Sequence, residues 1–350
     1  MRKLLLVIFA VLTLIPSLET AAQEDGNAPR RRRNFFNPEY PNVHDPVMAY
    51  ENGRYYVFHT GMGVAVMSSA DLKTWRRENN VFTMPPEWAV DSVKGYFGHT
   101  WAPDIIRGND GLWHLYYSCS TFGKNRSVIG EAVNRTLDPE SPLFKWEDKG
   151  MVVESKPGGT NYNAIDPGVV IDGKNRTWMT FGSFWGGIQL VQLSSDMHTP
   201  KGKTTVVARR KAPRKKNGSS KPYPQEPRDN SVEAPFIFYH DGYFYLLVSF
   251  DYCCRGINSN YKVAVGRSKK VVGPYKDKDG RRLDQGGGTI LCQTDSLYAG
   301  IGHCAAYQFE NDPQKEWLFV AHGYDKNLKG ASKLVLRKMD FEDGWPVLRE

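Results

Sequence analysis

Five polar clusters recur along this 350-residue chain, and four of them carry a carboxylate: His44-Asp45-Pro46, Trp101-Ala102-Pro103-Asp104, Ile165-Asp166-Pro167 and Val232-Glu233-Ala234-Pro235. The fifth, Gly300-Ile301-Gly302-His303, supplies a histidine. Acids that converge resist ionising together, so gathering them is unfavourable unless function needs it. A lone Asp beside Pro is usually a turn or cap residue, and that reading suits Asp104. For Asp45, Asp166 and Glu233 the recurrence argues for chemistry. Two carboxyls flanking a glycosidic bond are the minimum for cutting it: one protonated to donate to the leaving oxygen, one ionised to activate water or attack carbon. Trp101, Phe184 and Trp185 stand beside the acids and could stack on sugar C–H faces, with Ser183 and Asn163 as polar neighbours.

The elements that must position these residues are strands. Each cluster runs into an alternating apolar stretch, a turn and a second stretch, as in VMAY-ENG-RYYVFHT and FIFY-HDG-YFYLLVS. Asn-Gly and Asp-Gly between such runs signal tight hairpins, because both residues accept positive φ. From Asp45 through Asp104, Asp166 and Glu233 to His303 the spacings are 59, 62, 67 and 70 residues. Five units of about four strands predict an all-β fold, a five-bladed β-propeller over residues 37–350. In such a ring the innermost strands start near one end of the central channel, so equivalent positions meet there. Residues 199–230, rich in Lys and Arg, read as an insertion between strands.

Residues 1–22 read as an export signal: Arg2 and Lys3, an apolar run from Leu4 to Ile15, then Thr20-Ala21-Ala22. Residues 23–36 form an Arg-rich lead-in. An exported location, periplasm or medium, is expected, with no membrane span in the mature protein because no apolar run reaches about 18 residues. The net charge of +8 sits in two patches, nine Lys/Arg over 201–221 and four at Arg30 to Arg33. The remaining 33 bases face 38 acids, and the basic segment lacks interleaved aromatics, so nucleic acid is not an expected partner. Five cysteines, Cys119, Cys253, Cys254, Cys292 and Cys304, show no metal spacing, and at least one is unpaired or bridges chains.

The ordered set H-D-P (44–46), W-A-P-D (101–104), S-T-F-G (120–123), N-A-I-D-P (163–167), G-S-F-W-G-G (182–187), V-E-A-P (232–235), V-G-R-S (265–268), G-P-Y-x-D-K-x-G (273–280), G-G-G-T (286–289) and G-x-G-H (300–303) resembles the arabinanases of glycoside hydrolase family 43. The likeness implies inverting hydrolysis of α-1,5-linked L-arabinofuranose chains, in a monomer whose partner is arabinan or an arabino-oligosaccharide, with endo action the expected mode. Asp45 would be the base, Glu233 the acid, and Asp166 the residue that tunes and orients the acid. Substrate contacts would fall on Asp45, Trp101, Gly123, Asn163, Ala164, Ile165, Asp166, Ser183, Phe184 and Trp185. His303 would belong to a calcium site. An exo-acting arabinosidase or xylosidase of the same family, or a silent sugar-binding propeller, are the alternatives. The basic segment and Cys253-Cys254 lie outside the motif pattern.

Overall fold

Two of the tight hairpins form as their sequences dictate. Asn52-Gly53 and Asp241-Gly242 have positive φ at both positions, and the flanking pairs Glu51↔Arg54 and His240↔Tyr243 fix the register. That backbone twist matches the twist of the strands it joins. The computed structural model describes residues 36–212 and 230–349, and from Phe36 onward the chain forms one compact unit. The export signal, nearly all of the lead-in and residues 213–229 lie outside the described residues.

Five antiparallel sheets form the ring of a five-bladed β-propeller. Blade I contains Val47–Glu51, Arg54–His59, Ala65–Ser69 and Arg76–Arg77; blade II contains His99–Arg107, Trp113–Cys119, Ser127–Asn134 and Glu147–Ser155. Blade III is Gly168–Ile171, Thr177–Phe181, Ile188–Leu193 and Pro200–Ala208. Blade IV is Val232–His240, Tyr243–Phe250, Lys262–Ser268 and Thr289–Cys292; blade V is Tyr298–Tyr307, Trp317–Asp325, Ala331–Glu342 and Trp345–Arg349. A short strand, Gly61–Met62, leaves blade I to pair with the start of blade II. Middle strands are buried on both faces, as in Trp113–Cys119 and Ser127–Asn134, so their apolar content comes from blade-on-blade packing. The ring closes without its own strand exchange. Asn42 bridges Lys333, Val43 N–H donates to the Ser332 carbonyl at 3.2 Å, and Ser332 Oγ donates to the Val43 carbonyl at 2.5 Å.

Two expectations change. Residues 200–208 of the expected insertion are the outer strand of blade III. Its first six residues are mostly exposed, and an outer propeller strand needs no apolar face there, so Lys and Thr disguise it as a loop. The second change concerns the blade openings. Each contains one non-glycine residue at positive φ: Asp45 (54°), Ala102 (41°), Asp166 (57°), Ala234 (52°) and His303 (47°). These five, rather than the five chemically notable residues, are the equivalent positions. Asp104 and Glu233 are therefore offset, by two residues after and one before. Register breaks between Trp101 and Asp104, between Glu233 and Phe236, and between Gly302 and Ala305 mark bulges at three of these openings.

A ring of hydrogen bonds locks the bulges to the preceding blade. Ala102 N–H donates to Thr60 Oγ (2.8 Å), Asp166 N–H to Ser118 Oγ (3.0 Å) and His303 N–H to Ser249 Oγ (2.8 Å). Asp45 N–H donates to His322 Nδ1 (3.0 Å), and Ala234 N–H to Asp166 Oδ2 (3.2 Å). Every opening thus takes its position from its neighbour, which suits a site assembled across blades. Gly302 shows how tight the assembly is: a Cβ there would lie 2.2 Å from Tyr261 Cδ1. Gly302→Ala should destabilise the protein by about 1–3 kcal/mol, as overpacking does. Chemical denaturation of the two proteins checks it.

Candidate active site

Asp45, Asp166, Glu233 and His303 are all 5–9% exposed, enclosed yet touching solvent. Their charges act on one another: His303 feels Asp45, Asp166 and Glu233, and Asp166 feels the other two acids. The three acids and the histidine, from four blades, therefore lie close enough to act on one another.

Asp45 is the most heavily supported. Its Oδ2 accepts Thr60 Oγ–H at 2.6 Å and lies 2.9 Å from His44 Nδ1; its Oδ1 lies 3.0 Å from His303 Nδ1. Burial pushes the carboxyl up, but His44 and His303 outweigh it and hold it well below the usual carboxylate range. Three of about four lone-pair directions are taken, which leaves one for a water. Burial also opposes charge on His303, yet Asp45 wins and raises the imidazole to about 9.

Glu233 lives in a different environment. Ser183 Oγ donates to its Oε2 at 2.6 Å and Tyr261 OH to its Oε1 at 2.8 Å. Burial raises its pKa, and the two hydroxyls only partly offset this. Asp166 is raised to about 8, by burial first; His303 opposes the rise, and Glu233 and Asp45 add to it. The Glu233–Asp166 pair consequently retains a proton near neutrality while Asp45 stays ionised. Carboxyls pushed apart in this way are how acid and base are told apart. Tyr261→Phe removes a hydrogen bond that favours ionised Glu233, so the alkaline limb of the pH–rate profile should move to higher pH, with a rate loss of up to about tenfold (about 1 kcal/mol). A full pH–rate profile of the variant checks both.

The loop at 182–187 forms the wall beside Glu233. Phe184 (φ 56°) and Trp185 (φ 41°) are half-buried and hold left-handed backbone, a conformation that costs such bulky residues about 1–3 kcal/mol each and clusters at ligand sites. Phe184 lies 5.8 Å from the Tyr252 ring, and its N–H donates to the Val232 carbonyl. Across the opening, Trp101 is half-buried with Nε1–H donated to His99 Nδ1 (2.8 Å), and Gly123 is exposed at positive φ next to an exposed Phe122.

Three expected contacts serve the framework. Ala164 is fully buried in the blade II–III core, so it has no surface for a ligand. Asn163 Oδ1 accepts Ser127 Oγ–H, and Ile165, 8% exposed, accepts Gly182 N–H at its carbonyl. They hold the Asp166 turn in place. Asp104 points away toward blade III, where Oδ2 accepts Val169 N–H at 2.5 Å.

Five residues of the site went unread in the sequence: His44 within its motif, Thr60, Tyr261, His322 and Tyr324. Thr60 and His322 belong to a pattern, since in four blades a polar side chain within three residues of the second strand's end accepts the N–H of the next opening. His44 stacks on His322 with centroids 4.0 Å apart. Tyr324 OH lies 2.8 Å from His44 Nε2 and 3.2 Å from His322 Nε2, and it accepts Cys254 N–H at 2.7 Å. The donors assign the protons. His322 Nδ1 accepts from Asp45 N–H, so its Nε2–H donates to Tyr324, whose own hydrogen goes to His44 Nε2.

The model of the glycosyl hydrolases family 43 matches residues 36–346, nearly the whole described chain. The chain belongs to that family. It is a glycosidase. The family member is 54% identical, with a TM-score of 0.83, to a crystal structure of an exo-1,5-α-L-arabinanase from a bovine ruminal metagenomic library, covering 91% of this chain and 100% of that one. It is 41% identical over 315 residues to an extracellular exo-α-(1→5)-L-arabinofuranosidase of Cellvibrio japonicus, covering 88% of this chain and 86% of that protein. It is also 38% identical over 308 residues to an extracellular endo-α-(1→5)-L-arabinanase of Bacillus subtilis, covering 87% of each.

Proposed function

We propose that this glycosidase hydrolyses α-1,5-linked L-arabinan with inversion. The observation that carries the reading is the split environment of Asp45 and Glu233: Asp45 is held well below the usual carboxylate range, while burial pushes Glu233 above it in a pair with Asp166 that keeps a proton near neutrality. Glu233 donates its proton to the leaving oxygen as the glycosidic bond breaks. Asp45, with a lone pair to spare, takes a proton from a water on the opposite face of the ring. Asp166 exchanges no proton with substrate; its Oδ2 accepts Ala234 N–H, next in chain to Glu233, and its carboxyl, raised in part by the Glu233 charge, holds a proton jointly with the acid. The half-buried rings of Phe184, Trp185 and Trp101 offer faces for sugar C–H stacking. All these groups come from one chain, which supports a monomer as the working unit.

The place of cutting is a finer question. The motif set favours mid-chain attack, but the relatives named exo stand at 54% and 41% identity against 38% for one named endo, which favours release from the chain end. Incubation with linear arabinan decides: a single small product from the first time point supports chain-end cutting, and a ladder of oligomers supports mid-chain cutting. No hydrolysis of arabinan at all would overturn the whole reading. Export belongs to the same proposal, supported by the signal-like residues 1–22 and by relatives named extracellular. No helix among the described residues is long and apolar enough to cross a membrane.

Calcium at His303 belongs to the same proposal. Asp104 Oδ1 is buried without a partner and feels the charge of His303, and burial raises this acid to about 7. An orphaned carboxylate oxygen within electrostatic reach of an imidazole whose Nδ1 already serves Asp45 suits a hard, oxygen-seeking cation. Asp104 and His303 Nε2 would be minority ligands among waters. Bound there, the ion supplies positive charge that stabilises the crowded carboxylates. Chelation should lower the melting temperature, and calcium should restore it.

A further inference from the structure

Cys253 and Cys254 form a vicinal disulfide in the loop that follows the second strand of blade IV. Neither motif nor mechanism uses it, yet it sits against the base. Cys254 Sγ is 3.7 Å from His44 Nε2, and the ligand atoms of His44, Cys253 and Cys254 all lie within 4.8 Å of one another. Cys254 is exposed, Cys253 and His44 are half-exposed, and the other three cysteines are buried.

We propose that reduction of Cys253–Cys254 creates, with His44, an inhibitory site for a thiophilic divalent cation of the zinc or cadmium type. The reductant is a dithiol. It breaks the Cys253–Cys254 bond, passes two electrons and two protons to the cysteine sulfurs, and leaves as its own cyclic disulfide. The cation then displaces the two thiol protons. Exposed disulfides are the labile ones, and the thiolate is the metal-binding form.

The geometry is close to what such an ion needs. Tetrahedral zinc with Zn–S of about 2.3 Å and Zn–N of about 2.0–2.1 Å sets sulfur and nitrogen about 3.6 Å apart. The existing 3.7 Å needs almost no change. The two sulfurs must separate and Cys253 Sγ, within 4.8 Å of the imidazole, must settle onto the ion; both sulfurs sit on a loop rather than in a strand. His44 is also already oriented as a ligand. Its Nδ1 is committed to Asp45 Oδ2 at 2.9 Å, which turns Nε2 toward the cysteines, and a carboxylate on the far nitrogen is the usual support for a metal-bound imidazole. The ion has to displace only the Tyr324 hydroxyl hydrogen from Nε2. Occupied, the site is net neutral, two thiolates offsetting the ion, but it ties up His44 at Nε2 and so fixes the imidazole that Asp45 Oδ2 leans on, weakening the base. Nothing here depends on which polymer is cut, because metal binding is read directly.

The test uses the full chain, treated with dithiothreitol and desalted, then titrated with cadmium in calcium-containing buffer. Reduced protein should gain one ultraviolet cadmium–thiolate charge-transfer band, saturating at one ion per chain. Its hydrolytic rate should fall more than tenfold and recover on adding a chelator. Untreated protein should show neither effect, nor should reduced C253S/C254S. His44→Ala should keep the band at weaker affinity. As a measurement that needs no variant, cadmium should protect Cys253 and Cys254 from alkylation in the reduced parent. The proposal is overturned by an equal band in C253S/C254S, by no band after reduction, by cadmium binding to His44→Ala as tight as to the parent, or by alkylation of the pair unaffected by cadmium.

Discussion

Glu233→Ala and Asp45→Ala should each lower the rate on arabinan by about 10²–10⁴-fold, the range that a positioned acid or base contributes. The two losses should differ in kind. An aryl α-L-arabinofuranoside with an acidic phenol leaves without help, so it needs no proton from Glu233. Glu233→Ala should therefore retain most of its activity on that substrate, while Asp45→Ala should remain crippled on both. Substrate affinity should largely survive in Glu233→Ala, because Ser183 and Tyr261, its partners, stay on the wall. Asp45→Ala should also be less stable. It strips His303 of a buried counter-charge 3.0 Å away and His44 Nδ1 of its acceptor 2.9 Å away. The sign of that contribution is set by the shifts. Asp45 is depressed, so its share is present above the unfolded carboxyl pKa and is lost as pH falls. His303 is raised to about 9, so its share is present below the unfolded imidazole value and is lost as pH rises through about 9. Thermal melts across pH should show the variant's deficit greatest between those limits.

Asp166→Asn should lower kcat by about 10–100-fold with KM little changed, as expected when an interaction specific to the transition state is lost. Near neutrality Glu233 and Asp166 hold one proton between them, and the negative charge on the pair resists its loss. Without that charge the Glu233 pKa falls, and the alkaline limb of the pH–rate profile moves to lower pH, opposite to Tyr261→Phe. The same variant should gain stability where the parent loses it. Asp166 is raised from an ordinary carboxylate value to about 8, so its contribution is fully present below the unfolded pKa and disappears as pH climbs toward 8. The asparagine carries no buried charge and can still accept Ala234 N–H at its amide oxygen. The difference in melting temperature, variant minus parent, should increase from about pH 5 to about pH 8. A flat difference, with an unmoved pH–rate profile, would remove Asp166 from its tuning role.

The blade repeat was legible because each blade opens on the same problem, a chain entering the channel and turning sharply, beside a proline in four blades and between glycines in the fifth. Asp45 and Asp166 stand on that turn, so counting between them worked. Counting misled at Glu233 and Asp104, because the repeat belongs to backbone conformation. The equivalent positions are Ala234 and Ala102, which carry no chemical signal, and a positive φ is invisible in an alanine. The same blindness hid His322, Tyr324 and Tyr261. Each is one polar residue near a strand end, and only register tells whether it faces the channel or a neighbouring blade. The outer strand 200–208 was missed for the opposite reason: where neither face is buried, strand and loop share one composition. Ala164 was carried over with its motif, but its lack of exposure gives it a packing role.

The central claim is that Asp45 and Glu233 act from opposite faces of one sugar with a water between them. The configuration of the first product tests it most directly. Proton NMR of a fresh digest of an α-1,5-arabino-oligosaccharide, recorded before mutarotation, should show the β anomer at the new reducing end. An α anomer as the first product would mean that a carboxylate attacks carbon, and would contradict the assignment of Asp45 as a base acting through water.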